Sequence, residues 1–314
     1  MTSSTARSIA VVGAGLVGMG WAIVFARAGH DVRVYDANPD LLVALPDRLA
    51  VSLADLLEFG LIKDPAAIAD RVKIASSLAD AVRGATYIQE SILERVDVKQ
   101  SLYQELDTLI DDDAIVGSSS SGIPSSEFTV GLSIAPRCLV AHPVNPPYLM
   151  PVVELVPATW TLPEAVDTVH ALMEEVGQQP IRVTREVQGF ILNRLQGVLL
   201  REAWALYEEG YCSLADIDTT ISKGLGMRWS FMGPFETIDL NAPGGLADYA
   251  HRLGSLYQSI AAERPVHAPW SEALIKRADE ERRAALPLEA LPDRCTWRDR
   301  RLMALAAHQS TQEN

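Results

Sequence analysis

A histidine and a glutamate lie in two neighbouring apolar runs of this sequence, and together they could move a proton. Glu154 stands in MPVVELVP, where an unpaired carboxylate would be costly to bury. His142 ends the run CLVAH, and a short connection allows the two side chains to face each other. A carboxylate on one ring nitrogen fixes the tautomer and leaves the other nitrogen to accept a hydroxyl proton. We predict a general-base dyad; the alternative is that His142 caps a strand and Glu154 meets a backbone donor.

A glycine-rich motif near the start of the chain predicts a site for a dinucleotide. Gly13, Gly15 and Gly18 have the spacing G-x-G-x-x-G between a predicted strand and a predicted helix. They allow a tight turn, a close approach of backbone to a pyrophosphate, and close packing of the helix on the strand. The next strand ends at Asp36, whose carboxylate would accept hydrogen bonds from ribose hydroxyls and repel the extra phosphate of NADP. We therefore predict NAD as the cofactor; the alternative is a glycine-rich turn with an unrelated surface aspartate.

Two other polar features could contact a substrate. Ser118–Ser121 follow a predicted strand, at the edge of the sheet where substrate and nicotinamide would meet. Serines after a strand are also ordinary turn formers. Asn193 interrupts GFILNRL on a predicted helix, where it either contacts the substrate or makes a hydrogen bond between helices.

The elements that must position these residues alternate between two kinds in the first part of the chain. The predicted strands are Ser8–Val12, Asp31–Tyr35, Val72–Ala75, Thr86–Glu90, Ala114–Gly117, Arg137–Ala141, Val152–Val156 and Pro180–Val183. Between most of them lie helical patterns, at Leu16–Ala28, Pro39–Phe59, Val98–Ile110 and Pro163–Val176. This α/β alternation predicts a Rossmann-type, doubly wound parallel sheet that binds ligands outside the carboxyl ends of its strands.

Only helical patterns follow Thr184. They are Val187–Glu209, Ala215–Lys223, Pro234–Leu240, Gly245–Ala262, Trp270–Ala285 and Trp297–His308. We predict an NAD-binding domain over residues 1–186 and a smaller all-helical substrate and dimerisation domain over residues 187–314, which roofs the ligand cleft.

Composition excludes several classes of partner. A formal net charge of −14 gives no continuous basic surface, so we expect neither nucleic acid nor membrane as a partner. The uncharged run Ile9–Ala26 is long enough to resemble a membrane span, but its glycines argue against one. Cys138, Cys212 and Cys295 have neither metal-site spacing nor a disulfide framework, which predicts a cytoplasmic protein without a metal.

Six segments together resemble the 3-hydroxyacyl-CoA dehydrogenase superfamily, in the branch that contains lambda-crystallin and L-gulonate 3-dehydrogenase. They are VVGAGLVGMGWA, IQESILERVDVK, GSSSSGIPSS, VAHPVNPPYLMPVVELVP, VTREVQGFILNRLQ and GLGMRWSFMGPFETIDLNA. The resemblance implies that His142 and Glu154 are the catalytic pair, and that Ser121 and Asn193 hydrogen-bond the substrate near the reacting carbon. The cofactor positions that it implies are Gly13, Ala14, Gly15, Leu16, Val17, Gly18, Asp36, Glu94, Lys99, Ser119 and Asn145.

Departures from the family pattern bear on the substrate. Ser119 and Ser120 replace an asparagine-threonine pair of the hydroxyacyl-CoA enzymes, and an extended glycine turn contains Arg228. We predict that Arg228 binds a substrate carboxylate through two parallel hydrogen bonds. The alternatives are that Arg228 caps the helix ending at Lys223 or pairs with Glu236. CoA-binding relatives hold nucleotide phosphates with basic residues after the second strand, whereas residues 39–70 here carry far more acids than bases.

These observations favour NAD-dependent oxidation of the 3-hydroxyl of a free, L-gulonate-like hydroxy acid. The alternatives are an L-3-hydroxyacyl-CoA dehydrogenase and a non-catalytic, crystallin-like NAD-binding protein. Relatives pair through the helical domain, and apolar residues in Phe190–Leu206 and Leu253–Ile260 favour a homodimer here too.

Overall fold

Eight strands form one sheet in the computed structural model, which describes residues 6–264 and 269–312. The strands are β1 (Ser8–Val12), β2 (Asp31–Tyr35), β3 (Val72–Ile74), β4 (Tyr87–Glu90), β5 (Ile115–Ser118), β6 (Cys138–Pro143), β7 (Val152–Pro157) and β8 (Gln179–Arg182). Their order across the sheet is β3-β2-β1-β4-β5-β6-β7-β8, and every pairing is parallel except that of β6 with β7. The predicted Rossmann-type sheet is confirmed, and each strand lies within one or two residues of its predicted ends.

Helices cover the sheet. They are α1 (Leu16–Arg27), α2 (Pro39–Glu58), α3 (Pro65–Arg71), α4 (Leu78–Val82), α5 (Val96–Leu109), α6 (Ser126–Thr129) and α7 (Pro163–Glu175). In α2 the buried residues Leu45, Leu49, Leu53 and Leu56 recur every three or four positions, so one face of the helix meets the core. In contrast, α1 is buried from Gly18 to Ala26, which explains why its sequence carries no charge before Arg27.

The remaining helices are α8 (Leu192–Glu208), α9 (Leu214–Thr219), α10 (Gly226–Trp229), α11 (Pro234–Leu240), α12 (Gly245–Glu263), α13 (Glu272–Ala285) and α14 (Leu291–Gln309). This confirms the predicted helical region, with two local differences. Arg228 lies on the short helix α10 rather than in a glycine turn, because a π-helical turn over Thr220–Leu225 runs directly into it. The first helix begins at Leu192 instead of Val187, after Phe190 with a φ of 50°.

The chain forms two compact units, of which the first contains Met1–Arg194 together with Cys295–Asn314 and the second contains Leu195–Arg294. Within the first unit, Met303 of α14 is buried in the same apolar cluster as α1 and α2. Arg300 of α14 pairs with Asp55 and Glu58 of α2. By packing, the last helix therefore belongs with the sheet, whereas the sequence pattern groups it with residues 187–314.

None of the helices in residues 6–264 and 269–312 is at once long enough and apolar enough to span a bilayer.

Candidate active site

The antiparallel pairing of β6 and β7 places His142 directly opposite Glu154. Their side chains meet with 2.7 Å between Nδ1 and Oε2, and both are buried. The predicted contact is therefore present. Opposed residues of an antiparallel pair lie side by side on one face of the sheet, so the register itself creates the contact.

The other carboxylate oxygen of Glu154 faces the start of α8. Oε1 accepts hydrogen bonds from the backbone N–H groups of Ile191 at 2.7 Å and Leu192 at 3.0 Å. Burial alone would raise the pKa of Glu154, but the hydrogen bonds from His142, Leu192 and Ile191 outweigh it and hold the pKa below its usual value. The ionised carboxylate requires His142 Nδ1 to carry a proton, so in the neutral imidazole the lone pair is on Nε2. His142 is thus in the tautomer that a general base needs.

Ser121 and Asn193 lie in contact. Asn193 Nδ2 donates to the backbone oxygen of Ser121 at 2.6 Å. Glu94, which the resemblance assigns to the cofactor, accepts from Ser121 Oγ at 2.6 Å and from the backbone N–H groups of Ser121 and Gly122. Burial would raise the pKa of Glu94, but hydrogen bonds led by that from Ser121 lower it. The hydroxyl proton of Ser121 therefore points at Glu94, and the Oγ lone pairs remain to accept a hydrogen bond.

The glycine-rich loop fits the phosphates of a dinucleotide. Gly13 has a φ of 110°, and a Cβ on Gly18 would lie 1.8 Å from the Gly13 oxygen, so both positions require glycine. A Cβ on Gly15 would meet nothing within 4 Å, and no side chain caps the first turn of α1. Open space in front of a helix N-terminus is the geometry that receives a pyrophosphate. Leu16 and Val17 supply the first backbone N–H groups of that helix.

Asp36 lies against this loop. Its Oδ2 accepts from the Ala14 N–H at 2.7 Å, and its Oδ1 accepts from the Asn38 N–H at 2.8 Å. The acid therefore stands at the end of β2 beside the phosphate loop, where an adenosine ribose is bound in this fold.

Lys99, which the resemblance assigns to the cofactor, is buried in an ion pair. Its side chain is 1% exposed, and its ammonium lies 2.7 Å from both oxygens of the buried Glu90. Glu90 also accepts from Ser118 Oγ at 2.5 Å and from the Ile92 N–H at 2.9 Å. The Lys99–Glu90 pair is thus hydrogen-bonded to Ser118 at the end of β5 and to Ile92 in the loop after β4. Glu90 was missed in the sequence, although an acid at the end of an apolar strand requires a buried partner just as Glu154 does.

Ser119 is at the centre of a hydrogen-bond network that also contains residues missed from the sequence. Its Oγ accepts from Trp21 Nε1 at 3.1 Å and from Gln89 Nε2 at 2.8 Å, and lies 2.8 Å from Ser91 Oγ. An indole N–H can only donate, and Tyr87 donates to the Gln89 oxygen and thereby orients the amide. Both lone pairs of Ser119 are filled, so its proton must point to Ser91.

Two predicted site residues lie apart from these contacts. Asn145 lies two residues after the end of β6 and is exposed. Arg228 belongs to the second unit, where it is exposed on α10. Its assignment to the substrate stays a prediction.

Comparison with known proteins gives matches over most of the chain. Residues 8–187 match the NAD binding domain of 3-hydroxyacyl-CoA dehydrogenase, and residues 189–285 match the C-terminal domain of 3-hydroxyacyl-CoA dehydrogenase. Lambda-crystallin of Oryctolagus cuniculus is 39% identical over 311 residues, which are 98% of this chain and 97% of that protein. L-carnitine dehydrogenase of Pseudomonas putida is 40% identical over 265 residues, 84% of this chain and 79% of its own.

A solved structure agrees with the fold over nearly the whole length. It is that of 5-formyl-3-hydroxy-2-methylpyridine 4-carboxylic acid 5-dehydrogenase, an NAD+-dependent dismutase. It has a TM-score of 0.82 and 27% sequence identity, and the match covers 98% of this chain and 100% of that chain.

We predict that Glu154→Gln changes how stability depends on pH. The folded carboxyl has a lowered pKa, so it contributes stability above the usual glutamate pKa of about 4.3, and this contribution is lost as the pH falls through the folded value. Glu154→Gln should therefore be less stable than wild type at pH 7, and the difference should shrink below about pH 4.3. Urea midpoints at several pH values measure it. Glu105→Gln, at an exposed position of α5, should follow the wild type; a constant gap for Glu154→Gln would contradict the prediction.

Proposed function

This chain belongs to the 3-hydroxyacyl-CoA dehydrogenase family, and from that membership we propose that it oxidises the 3-hydroxyl of a free hydroxy acid, L-gulonate or a close relative, to the 3-keto acid. Its cofactor is NAD, as the family of its first domain dictates. The observation that carries the proposal is the buried contact of His142 with Glu154, on the same unit as the contact of Ser121 with Asn193.

The chemistry divides between the cofactor and the side chains. When bound, the nicotinamide accepts the hydride that leaves the substrate carbon. His142 takes the hydroxyl proton on Nε2 as the C=O bond forms, and Glu154 stabilises the imidazolium through Nδ1. Ser121, with its own proton held by Glu94, accepts a hydrogen bond from a second hydroxyl of the substrate and so helps to orient the molecule.

Three observations favour a free acid over a CoA thioester. Two relatives carry the names of small carboxylic acids, L-carnitine and a pyridine carboxylic acid. In the segment from α2 to α3, Arg48 faces the glycine loop, and Asp55 and Glu58 are paired with Arg300. This surface offers little positive charge to CoA phosphates. Arg228 supplies a guanidinium suited to a carboxylate.

The family name favours a second candidate, an L-3-hydroxyacyl-CoA dehydrogenase. The similarity to lambda-crystallin raises a third, a non-catalytic protein, against which stands the intact dyad. A panel of hydroxy acids and hydroxyacyl-CoAs, followed by NADH absorbance, separates the three. We expect turnover of L-gulonate or a related free acid to exceed that of 3-hydroxybutyryl-CoA. Faster turnover of the thioester would replace our proposal with the second candidate, and no turnover of any compound would favour the third.

We predict that His142→Ala abolishes turnover while NAD binding survives. Loss of a positioned base costs on the order of 10² to 10⁴ in rate. Binding is followed by NADH fluorescence or calorimetry, and turnover by absorbance. His170→Ala is the matched control, because His170 lies on α7 and pairs only with Glu174 of the same helix among the described ion pairs. Turnover of His142→Ala at the wild-type rate would remove the dyad from the mechanism.

We predict that Arg228→Lys and Arg228→Met raise KM for the hydroxy acid far more than KM for NAD. A guanidinium fixes a carboxylate through two parallel hydrogen bonds, which an ammonium reproduces poorly and a thioether not at all. Any hydroxyacyl-CoA activity should scarcely change, because a thioester lacks that charge. Lys223→Met, on the preceding π-helical turn, should behave as wild type. If both Arg228 variants keep the wild-type kcat/KM for the acid, the residue is structural.

We also predict a homodimer that uses the helical unit. Apolar side chains there are half or more exposed, among them Leu195 and Val198 on α8 and Leu256 and Tyr257 on α12. Light scattering should give twice the monomer mass at micromolar concentration. A charge in this surface, as in Val198→Asp, should yield monomer, whereas Val130→Asp in the first unit should stay dimeric. A wild-type monomer would contradict the prediction.

A further inference from the structure

Arg48 of α2 is bonded to the same loop residue as Asp36. Its Nη1 donates to the Ala14 oxygen at 3.0 Å, while Asp36 Oδ2 accepts from the Ala14 N–H at 2.7 Å. The N and O atoms of one residue lie less than about 4 Å apart, so the two charged groups are within about 10 Å of each other. No ion pair joins them among the described residues. The loop that receives the cofactor phosphates is therefore flanked by one acid and one base.

We propose that Arg48 is a second determinant of cofactor choice, which pins the glycine loop and supplies the cation that accepts the 2′-phosphate of NADP once the charge of Asp36 is removed. In wild type the Asp36 carboxylate repels that phosphate and keeps the enzyme specific for NAD.

The position and chemistry of Arg48 support this role. A guanidinium has five N–H donors, and the bond to Ala14 is the one that it makes within the described residues, so donors remain for a phosphate. Its long side chain reaches across the loop, and bidentate pairing with phosphate is geometrically favourable. It is also the only basic residue on α2, so no neighbour on that helix can substitute for it.

The test compares binding in a cycle of variants. Calorimetry or fluorescence measures Kd for NADH and NADPH with wild type, Asp36→Ala, Arg48→Ala and the double variant. The quantity of interest is the ratio of the two Kd values, because any weakening of the loop affects both cofactors alike. We expect Asp36→Ala to lower the Kd for NADPH relative to that for NADH. Adding Arg48→Ala should raise the Kd for NADPH relative to that for NADH by about tenfold or more, as loss of a charge-assisted bond would.

Two controls sharpen the result. Lys63→Ala in the Asp36→Ala background removes an exposed cation that lies beyond α2, and the ratio should stay unchanged. Asp36→Asn retains one acceptor for the loop and replaces Asp36→Ala if that variant fails to fold. Equal ratios in Asp36→Ala and the double variant would overturn the proposal, as would an effect of Lys63→Ala equal to that of Arg48→Ala.

This inference rests on the cofactor site and not on the identity of the substrate. Binding is measured without turnover, so a failure of the hydroxy-acid panel leaves the binding result intact, and an unchanged binding ratio leaves the panel intact.

Discussion

The carboxylate of Glu154 is fully buried, and it can remain ionised only because three donors converge on it. A hydrogen bond to a charged group contributes about 1.5 to 3 kcal/mol, so the loss of any one of the three donors would destabilise the buried charge. One donor is His142. The others are the N–H groups of Ile191 and Leu192 at the start of α8, whose helix dipole also favours a negative charge there. A single charge therefore joins β6, β7 and α8 at one point.

Further contacts extend from that point through the site. Glu154 binds the N–H of Leu192, and Asn193 is the next residue along the chain. By fixing the start of α8, Glu154 therefore also helps to place the Asn193 amide against the Ser121 oxygen. Ser121 in turn is bound by Glu94. Beneath these loops, Glu90 is a second buried acid, with Lys99, Ser118 and Ile92 as its donors. Glu90 is the last residue of β4 and Glu154 is the third residue of β7, so the requirement to pair a buried charge acts at two places in the sheet.

The sequence predicted the strands well because buried strands are short, β-branched and separated by turn residues. It also predicted the meeting of His142 and Glu154, since a carboxylate in an apolar run needs a partner and the nearest candidate was close along the chain. The short helices α3, α4 and α6 were missed because one or two turns carry too little periodicity to detect.

Other features depend on contacts that are remote in sequence. Lys99 and its partner Glu90 lie on different elements, and only the packing of α5 on the sheet brings the two together. The position of α14 depends in the same way on Met303 and Arg300 meeting α1 and α2 across most of the chain length. No periodic pattern within α14 distinguishes a helix that returns to the first unit from one that stays with the second.

The fixed direction of the Ser119 hydroxyl has an energetic consequence. Hydrogen bonds run from Gln89 to Ser119 and from Ser119 to Ser91. Because the indole of Trp21 can only donate to Ser119, the donors and acceptors in this series cannot exchange roles. Water around a reacting molecule must rotate as charge moves, and that rotation is a large part of the barrier in solution. Dipoles already locked by the fold have no such rotation to make, so a reaction beside this network would meet a low reorganisation energy. Trp21 therefore contributes to the electrostatic environment of the site as well as to the core in which it is buried.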